Sequence, residues 1–179
     1  MAMKSIKGKG IFRSVIFGIV TAATMVMFLF IFLFSPYKIV GNSMSPTLNN
    51  GEKILISKSL LIGKISRFDI VVIVSPDNNR RKLIKRVVGL PEEEIEIIKG
   101  NIFIDNELKK ENFLKYEGDV IFKSSNMRKS LIPANSYFLL GDCREKSTDS
   151  RNFGPVCRDR IVGKILFRYF PLNKFGIVK

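Results

Sequence analysis

Between Arg13 and Lys38 the chain carries no charged residue, and Val15 to Phe34 is a predominantly apolar run. That is about the ~20 residues a helix needs to cross the hydrocarbon core of a bilayer, so the sequence predicts a transmembrane helix over residues 15–34. A cleavable secretory leader has a shorter apolar core, ~7 to 15 residues, and ends in a small-residue cleavage site. Here the run ends Phe32-Leu33-Phe34-Ser35-Pro36-Tyr37, which offers no such site. Lys4, Lys7, Lys9 and Arg13 crowd the short N-terminal side. Positive-inside bias then makes residues 1–14 a cytoplasmic basic segment and places residues 35–179 on the far side of the membrane as the working domain.

The remaining residues of this 179-residue chain suffice for one modest domain. Their periodicity is that of short strands: Lys53 to Ser57, Asp69 to Val74, Leu83 to Val88, Glu94 to Ile98, Asn101 to Ile104, Ser136 to Leu140 and Ile161 to Phe167. Ile95 and Ile97 alternate with Glu94 and Glu96, Lys99-Gly100-Asn101 supplies turn chemistry, and Ile102 and Ile104 resume the alternation, which is a hairpin signature. The expected fold class is therefore mainly β, with a single N-terminal transmembrane helix ahead of a β-rich extracytoplasmic domain.

Thirty Lys and Arg against 16 Asp and Glu leave a formal charge of +14, which suits an anionic membrane surface or nucleic acid. No helix-turn-helix, zinc finger or aromatic-basic platform accompanies the charge, so the lipid bilayer is the expected partner and nucleic acid is not. Histidine is absent altogether. That removes the Ser-His-Asp triad, the Cys-His pair and histidine-based zinc and iron sites together, so any hydrolytic base must be Lys, Asp, Glu or Tyr. With only Cys143 and Cys157, no four-cysteine metal site or disulfide framework can form. No cofactor or metal is expected.

Three segments are candidates for chemistry. Gly41-Asn42-Ser43-Met44-Ser45-Pro46-Thr47-Leu48 is a polar, turn-rich loop only a few residues past the predicted span. Its Ser and Asn side chains could serve only local turns, but a loop next to the bilayer is also well placed to attack a membrane-embedded substrate. Leu83-Ile84-Lys85-Arg86-Val87-Val88-Gly89-Leu90-Pro91 sets two cations inside an apolar strand, on opposite faces by alternation. They are either a solvated pair on a strand edge or the source of a desolvated lysine. Bringing an ordinary lysine from ~10.4 towards neutrality costs roughly 3 to 4 kcal/mol, and the neutral amine is a competent base for a serine hydroxyl. The stretch from Gly141 to Gly154 is dense in hydrogen-bonding side chains. It is either plain surface or a cradle in which Ser147 holds a lysine amine while Asp149 and Arg151 pair.

Taken in order, these segments resemble the conserved boxes of bacterial type I signal peptidases, which remove signal peptides from exported preproteins. Ser43-Met44-x-Pro46-Thr47-Leu48 matches the serine box, Lys85 to Pro91 the lysine box, and Gly141-Asp142-x-Arg144-x-x-Ser147-x-Asp149-Ser150-Arg151 the last box, with Phe68-Asp69-Ile70-Val71-Val72 resembling the remaining one. The resemblance implies a catalytic dyad of Ser43 as nucleophile and Lys85 as general base, supported by Ser147, Asp149 and Arg151. It further implies shallow apolar substrate pockets lined by Ile39, Met44, Leu48, Val72 and Ile84 that select small residues one and three positions before the cut. The implied partners are preprotein signal peptides, with the secretion machinery a further candidate.

The chain departs from the family pattern at four places: Gly41 where some relatives carry an oxyanion-assisting serine, Cys143 for an asparagine, Phe68 for a glycine, and Glu92-Glu93 for Gly-Asp. Cys143 raises a disulfide to Cys157 as a further expectation. Two other Ser-Lys readings are weaker. Ser35-Pro36-Tyr37-Lys38 is an S-x-x-K string without its S-D-N and K-T-G partners, and SOS-type repressors carry a DNA-binding head where this chain has a span. From a different class, the alternative is a non-catalytic, membrane-tethered β module that binds anionic wall polymer or lipid.

Overall fold

The computed structural model describes residues 4–58, 63–77, 81–114 and 126–178. The chain divides into two compact units, Met1–Ser35 and Pro36–Lys179.

The first unit is one helix, α1, Lys4–Leu33. Within it Gly10–Leu33 is 24 residues long with mean hydropathy 2.6, sufficient in length and composition to cross a membrane. The hydroxyls of Ser14, Thr21 and Thr24 donate back to carbonyls one turn earlier, so the few polar groups of the apolar stretch are satisfied inside the helix. The helix starts well before the apolar run at Val15 because the Lys-rich lead-in is itself compatible with helix. It stops at Leu33, since Pro36 disfavours helical geometry at Ser35 and the chain turns extended.

The second unit is all β apart from single turns of helix. Strands β1 (Phe34–Lys38), β2 (Lys53–Lys58), β3 (Ile70–Val74), β4 (Lys82–Gly89), β9 (Ser136–Leu140), β10 (Val156–Cys157), β11 (Ile161–Phe170) and β12 (Gly176–Ile177) form one sheet in the order β1-β2-β11-β3-β4-β9-β10, with β12 also on β11. A second sheet runs β7-β6-β5-β8, made of Glu107–Leu108, Asn101–Ile104, Glu94–Ile98 and Met127–Leu131. Every strand expected from the alternation is present within a residue or two at its start, and β11 runs three residues longer than foreseen. The unforeseen strands have identifiable reasons. β7, β10 and β12 are two residues each, β1 contains Pro36, and β8 is largely exposed and therefore shows no apolar alternation.

The large sheet is covered on both faces. Val72 and Ile84 pack with Met44 and Leu48 in one cluster, whereas Val71, Ile73 and Val87 pack with Leu139 in another. A third cluster, including Val88, Ile95, Ile104 and Leu140, joins the small sheet to the large one. The alternation of β3 and β4 thus sorts side chains between the two faces, and β4 leaves no solvated surface along its second half. That strand carries Lys85 and Arg86.

Candidate active site

The loop bearing Ser43 is held by its own backbone and two buried anchors. Ile39 N–H donates to the Glu52 carbonyl at 2.9 Å, Gly51 N–H to the Ile39 carbonyl at 2.9 Å and Leu48 N–H to the Met44 carbonyl at 2.9 Å. Met44 and Leu48, four residues apart, insert into the core at 2% and 0% exposure. Ser43 is left half-buried at the loop's rim. Gly41 adopts φ +93, the left-handed region that favours glycine, and its N–H donates to Asn50 Oδ1 at 3.1 Å.

Lys85 lies opposite Val71 on β3, and Arg86 lies opposite Ile70 on β3 and Leu140 on β9. Both are sealed from solvent, at 2% and 1% exposure, so the reading of a solvated pair on an edge is excluded. Arg86 forms a bidentate ion pair with Asp142, with Nε to Oδ1 at 2.9 Å and Nη2 to Oδ2 at 2.7 Å, and donates to the Phe68 carbonyl at 3.0 Å. Lys85 has no carboxylate within ion-pair distance among the described residues, and its Nζ donates to Ser147 Oγ at 2.9 Å. Burial pulls its pKa down to about 8, and the Arg151 charge adds to the shift while Asp149 and Asp142 oppose it.

Ser147 is presented by the loop that leaves β9. Asp149 caps the one-turn helix α2, Ser150–Phe153, in a reciprocal arrangement with Asn152, and the Ser150 hydroxyl accepts from Leu139 N–H at 2.9 Å, pinning the turn to β9. Arg151 grips both Asp149 oxygens at 2.8 and 2.9 Å, and the Gly141 N–H donates to Asp149 Oδ2 at 3.1 Å. Burial alone would raise the Asp149 carboxyl, but hydrogen bonds from Arg151, Gly141 and Ser147 together with the Arg151 charge hold it below the usual range.

Gly141 is where the segments meet. A Cβ at this position would lie 2.2 Å from Ser147 Oγ and 2.6 Å from the Ser43 carbonyl oxygen, so only glycine lets the serine loop and the lysine's partner approach this closely. The next contact along, Cys143 N–H to the Ser43 carbonyl at 3.0 Å, ties the two loops directly. A half-buried hydroxyl, a buried amine with a lowered pKa and a satisfied acidic brace therefore converge on one small region.

A family model described as "Signal peptidase, peptidase S26" matches residues 12–170. This chain belongs to that family. Among its relatives, signal peptidase IB of Staphylococcus aureus is 33% identical over 88% of this chain and 90% of its own length. Signal peptidase I T of Bacillus subtilis is 34% identical over 90% of this chain and 86% of its own length. A crystal structure of a signal peptidase I from Enterococcus faecalis V583 superposes with a TM-score of 0.50 and 31% identity, covering 57% of this chain and 97% of that one. With this membership, the apolar helix Gly10–Leu33 makes the chain a membrane-anchored serine peptidase, and the reading as a non-catalytic β module gives way.

Within this signal peptidase, Ile39, Met44 and Ile84 line a cleft of about 50 Å3 that also takes in Ser43, Tyr37 and Lys82. Leu48 and Val72 lie in the same apolar cluster but do not line the cleft, each 0% exposed. A wider cavity of about 910 Å3 opens beside Thr47, Phe68, Arg86 and Phe113 and includes neither Ser43 nor Lys85. Cys143 and Cys157 are both free thiols, so the expected disulfide is not formed. Cys157 instead lies in β10 opposite Ser136. Two residues of the matched boxes, Arg86 and Asp142, receive a role only from the structure. The signal was a second cation next to Lys85 in an apolar strand, since a buried arginine needs an anion.

Proposed function

We propose that the chain cleaves N-terminal signal peptides from exported preproteins, with Ser43 as nucleophile and Lys85 as general base. The observation that supports this reading most is the Lys85 amine. It is buried, has a hydroxyl rather than a carboxylate for a partner, and has a pKa brought down to about 8, so a usable fraction is neutral near physiological pH. In the mechanism, neutral Lys85 takes the Ser43 proton as Ser43 Oγ attacks the scissile carbonyl. The resulting ammonium protonates the leaving amine, and the acyl-enzyme is released by a water that the same amine deprotonates. Ser147 keeps the amine aimed, and the Asp149–Arg151 pair holds Ser147's loop. The developing oxyanion is assigned to the Ser43 N–H, which has no acceptor among the described residues, whereas Gly41 brings no hydroxyl and spends its N–H on Asn50.

The cleft of Ile39, Met44 and Ile84 is small, which favours compact side chains at the substrate positions it receives, here one and three before the cut. Leu48 and Val72 pack in the same apolar cluster as these three residues. Residues 1–14 are placed in the cytoplasm by their lysines and arginine, residues 15–34 in the bilayer, and residues 35–179 outside, where signal peptides emerge from the secretion machinery. The test is cleavage of a model preprotein in detergent by Ser43→Ala and Lys85→Ala, made separately. Both are expected to be inactive; cleavage at the parent rate by either would overturn the dyad.

A further inference from the structure

The segment Lys109–Leu114, which follows β7, belongs to no strand, yet it reaches Arg144 of the last box and Arg86 of the lysine box. The Glu111 carboxylate bonds Arg144 Nη2, with the two side chains only 8% and 5% exposed. Two residues on, the Phe113 ring centroid lies 3.8 Å from the Arg86 guanidinium carbon and 5.0 Å from the Phe68 ring centroid. On its other side Arg144 works into the loop. Its Nε donates to the Gly141 carbonyl at 3.0 Å, and its own carbonyl accepts from Arg151 Nη2 at 2.6 Å. Gly141 is thus fixed at both polar ends, its carbonyl by Arg144 and its N–H by Asp149.

Resting on the Ser43–Lys85 reading, we propose that Glu111 is a positioning residue for the Lys85 amine, acting through Arg144 on the Gly141-to-Arg151 loop that carries Ser147. A guanidinium this deeply buried must have an anion. If Glu111 is removed, the buried carboxylates of the loop, Asp142 and Asp149, are already engaged by Arg86 and Arg151. Arg144 then either competes for them or withdraws towards water, and both movements release the Gly141 carbonyl. Because Gly141 abuts the Ser147 hydroxyl and the Ser43 carbonyl, the loop shifts where nucleophile and base must meet. Glu111 itself feels both pairs: burial raises its carboxyl above the usual range, Asp142 adds to this, and Arg144 and Arg86 draw it back.

The experiment uses the full chain in detergent with a model preprotein, and compares Glu111→Gln, Arg144→Gln and the double variant. Misplacement of a reacting group lowers turnover more than binding, so Glu111→Gln is expected to lose about 10- to 100-fold in kcat with KM within about twofold, at a temperature well below its melting point. The double variant is expected to be no slower than the slower single variant, because both act through one linkage. A merely structural role would lower the melting temperature and leave kcat of the folded enzyme within about twofold of the parent, which would overturn the proposal, as would losses that multiply in the double variant. Glu111→Asp keeps the charge while drawing the carboxylate back by one methylene, and it carries the same test if the glutamine variant does not fold. An active Ser43→Ala would sink the dyad and this inference with it, whereas an inactive Ser43→Ala beside an unaffected Glu111→Gln would sink the inference alone.

Discussion

Lys85 and Arg86 are neighbours on one strand, equally hidden from solvent, and their surroundings are opposites. Arg86 has a bidentate carboxylate, a backbone carbonyl and an aromatic face, so its charge is fully answered. Lys85 has one hydroxyl. The difference follows from chemistry: a guanidinium keeps its proton in any protein environment and must be paired, while an ammonium placed without an anion can give its proton up. One cation is thereby made structural and the other is left able to serve as the proposed base, although the sequence presents them as a simple pair.

The strongest way to break this contrast is to replace each cation by the similarly long, neutral Met. Lys85→Met is expected to lose at least about a thousandfold in cleavage rate, as removal of a base from a nucleophile-base unit does. The same variant should be more stable than the parent at pH 7. The folded pKa of about 8 lies below the unfolded value of 10.5, so the folded state binds the proton less well. The cost is fully present below pH 8 and disappears as pH rises through 10.5. It amounts to about 3 kcal/mol, and Met relieves it. Melting curves at pH 7 and pH 10 check the sign, since the gain should shrink at the higher pH.

Arg86→Met should do the reverse. It leaves Asp142 buried and unpaired, and the loss of one partner of such a pair costs about 3 to 5 kcal/mol. Adding Asp142→Leu should recover a large part of that loss in denaturant unfolding. If the double variant is as unstable as the single one, Arg86 matters through its contacts to Phe68 and Phe113 rather than through its charge.

The strands were legible because β3, β4, β5 and β6 carry clean apolar alternation. Ser43, Lys85, Ser147, Asp149 and Arg151 were legible as ordered boxes. What stayed hidden depends on tertiary approach. Glu111 lies in a segment without periodicity, and nothing local announces that it meets Arg144, 33 residues away. Gly141 reads as a turn glycine until Ser43 and Ser147 are brought against it. The family resemblance assigns Leu48 and Val72 to the substrate pockets together with Ile84, and a matched motif cannot separate a side chain that lines a cleft from one buried in the same apolar cluster.

The finest test of the contrast concerns the charges that reach Lys85 from across the loop. In the parent, kcat/KM should rise with pH about a midpoint near 8, because in the proposed mechanism only neutral Lys85 can take the Ser43 proton. Arg151 lowers that midpoint through its positive charge, and Asp149, which Arg151 neutralises, raises it. Arg151→Met removes the first effect and exposes the second, so both changes have the same sign and the midpoint must move up, towards the ordinary lysine value. Loosening of the loop will lower the plateau, but a plateau carries no information about protonation and the midpoint does. Activity of Arg151→Met measured from pH 6 to 10.5 should therefore approach the parent most closely at the alkaline end. A midpoint that stays in place or moves down would overturn the contribution assigned here to the Arg151 charge in lowering the Lys85 pKa.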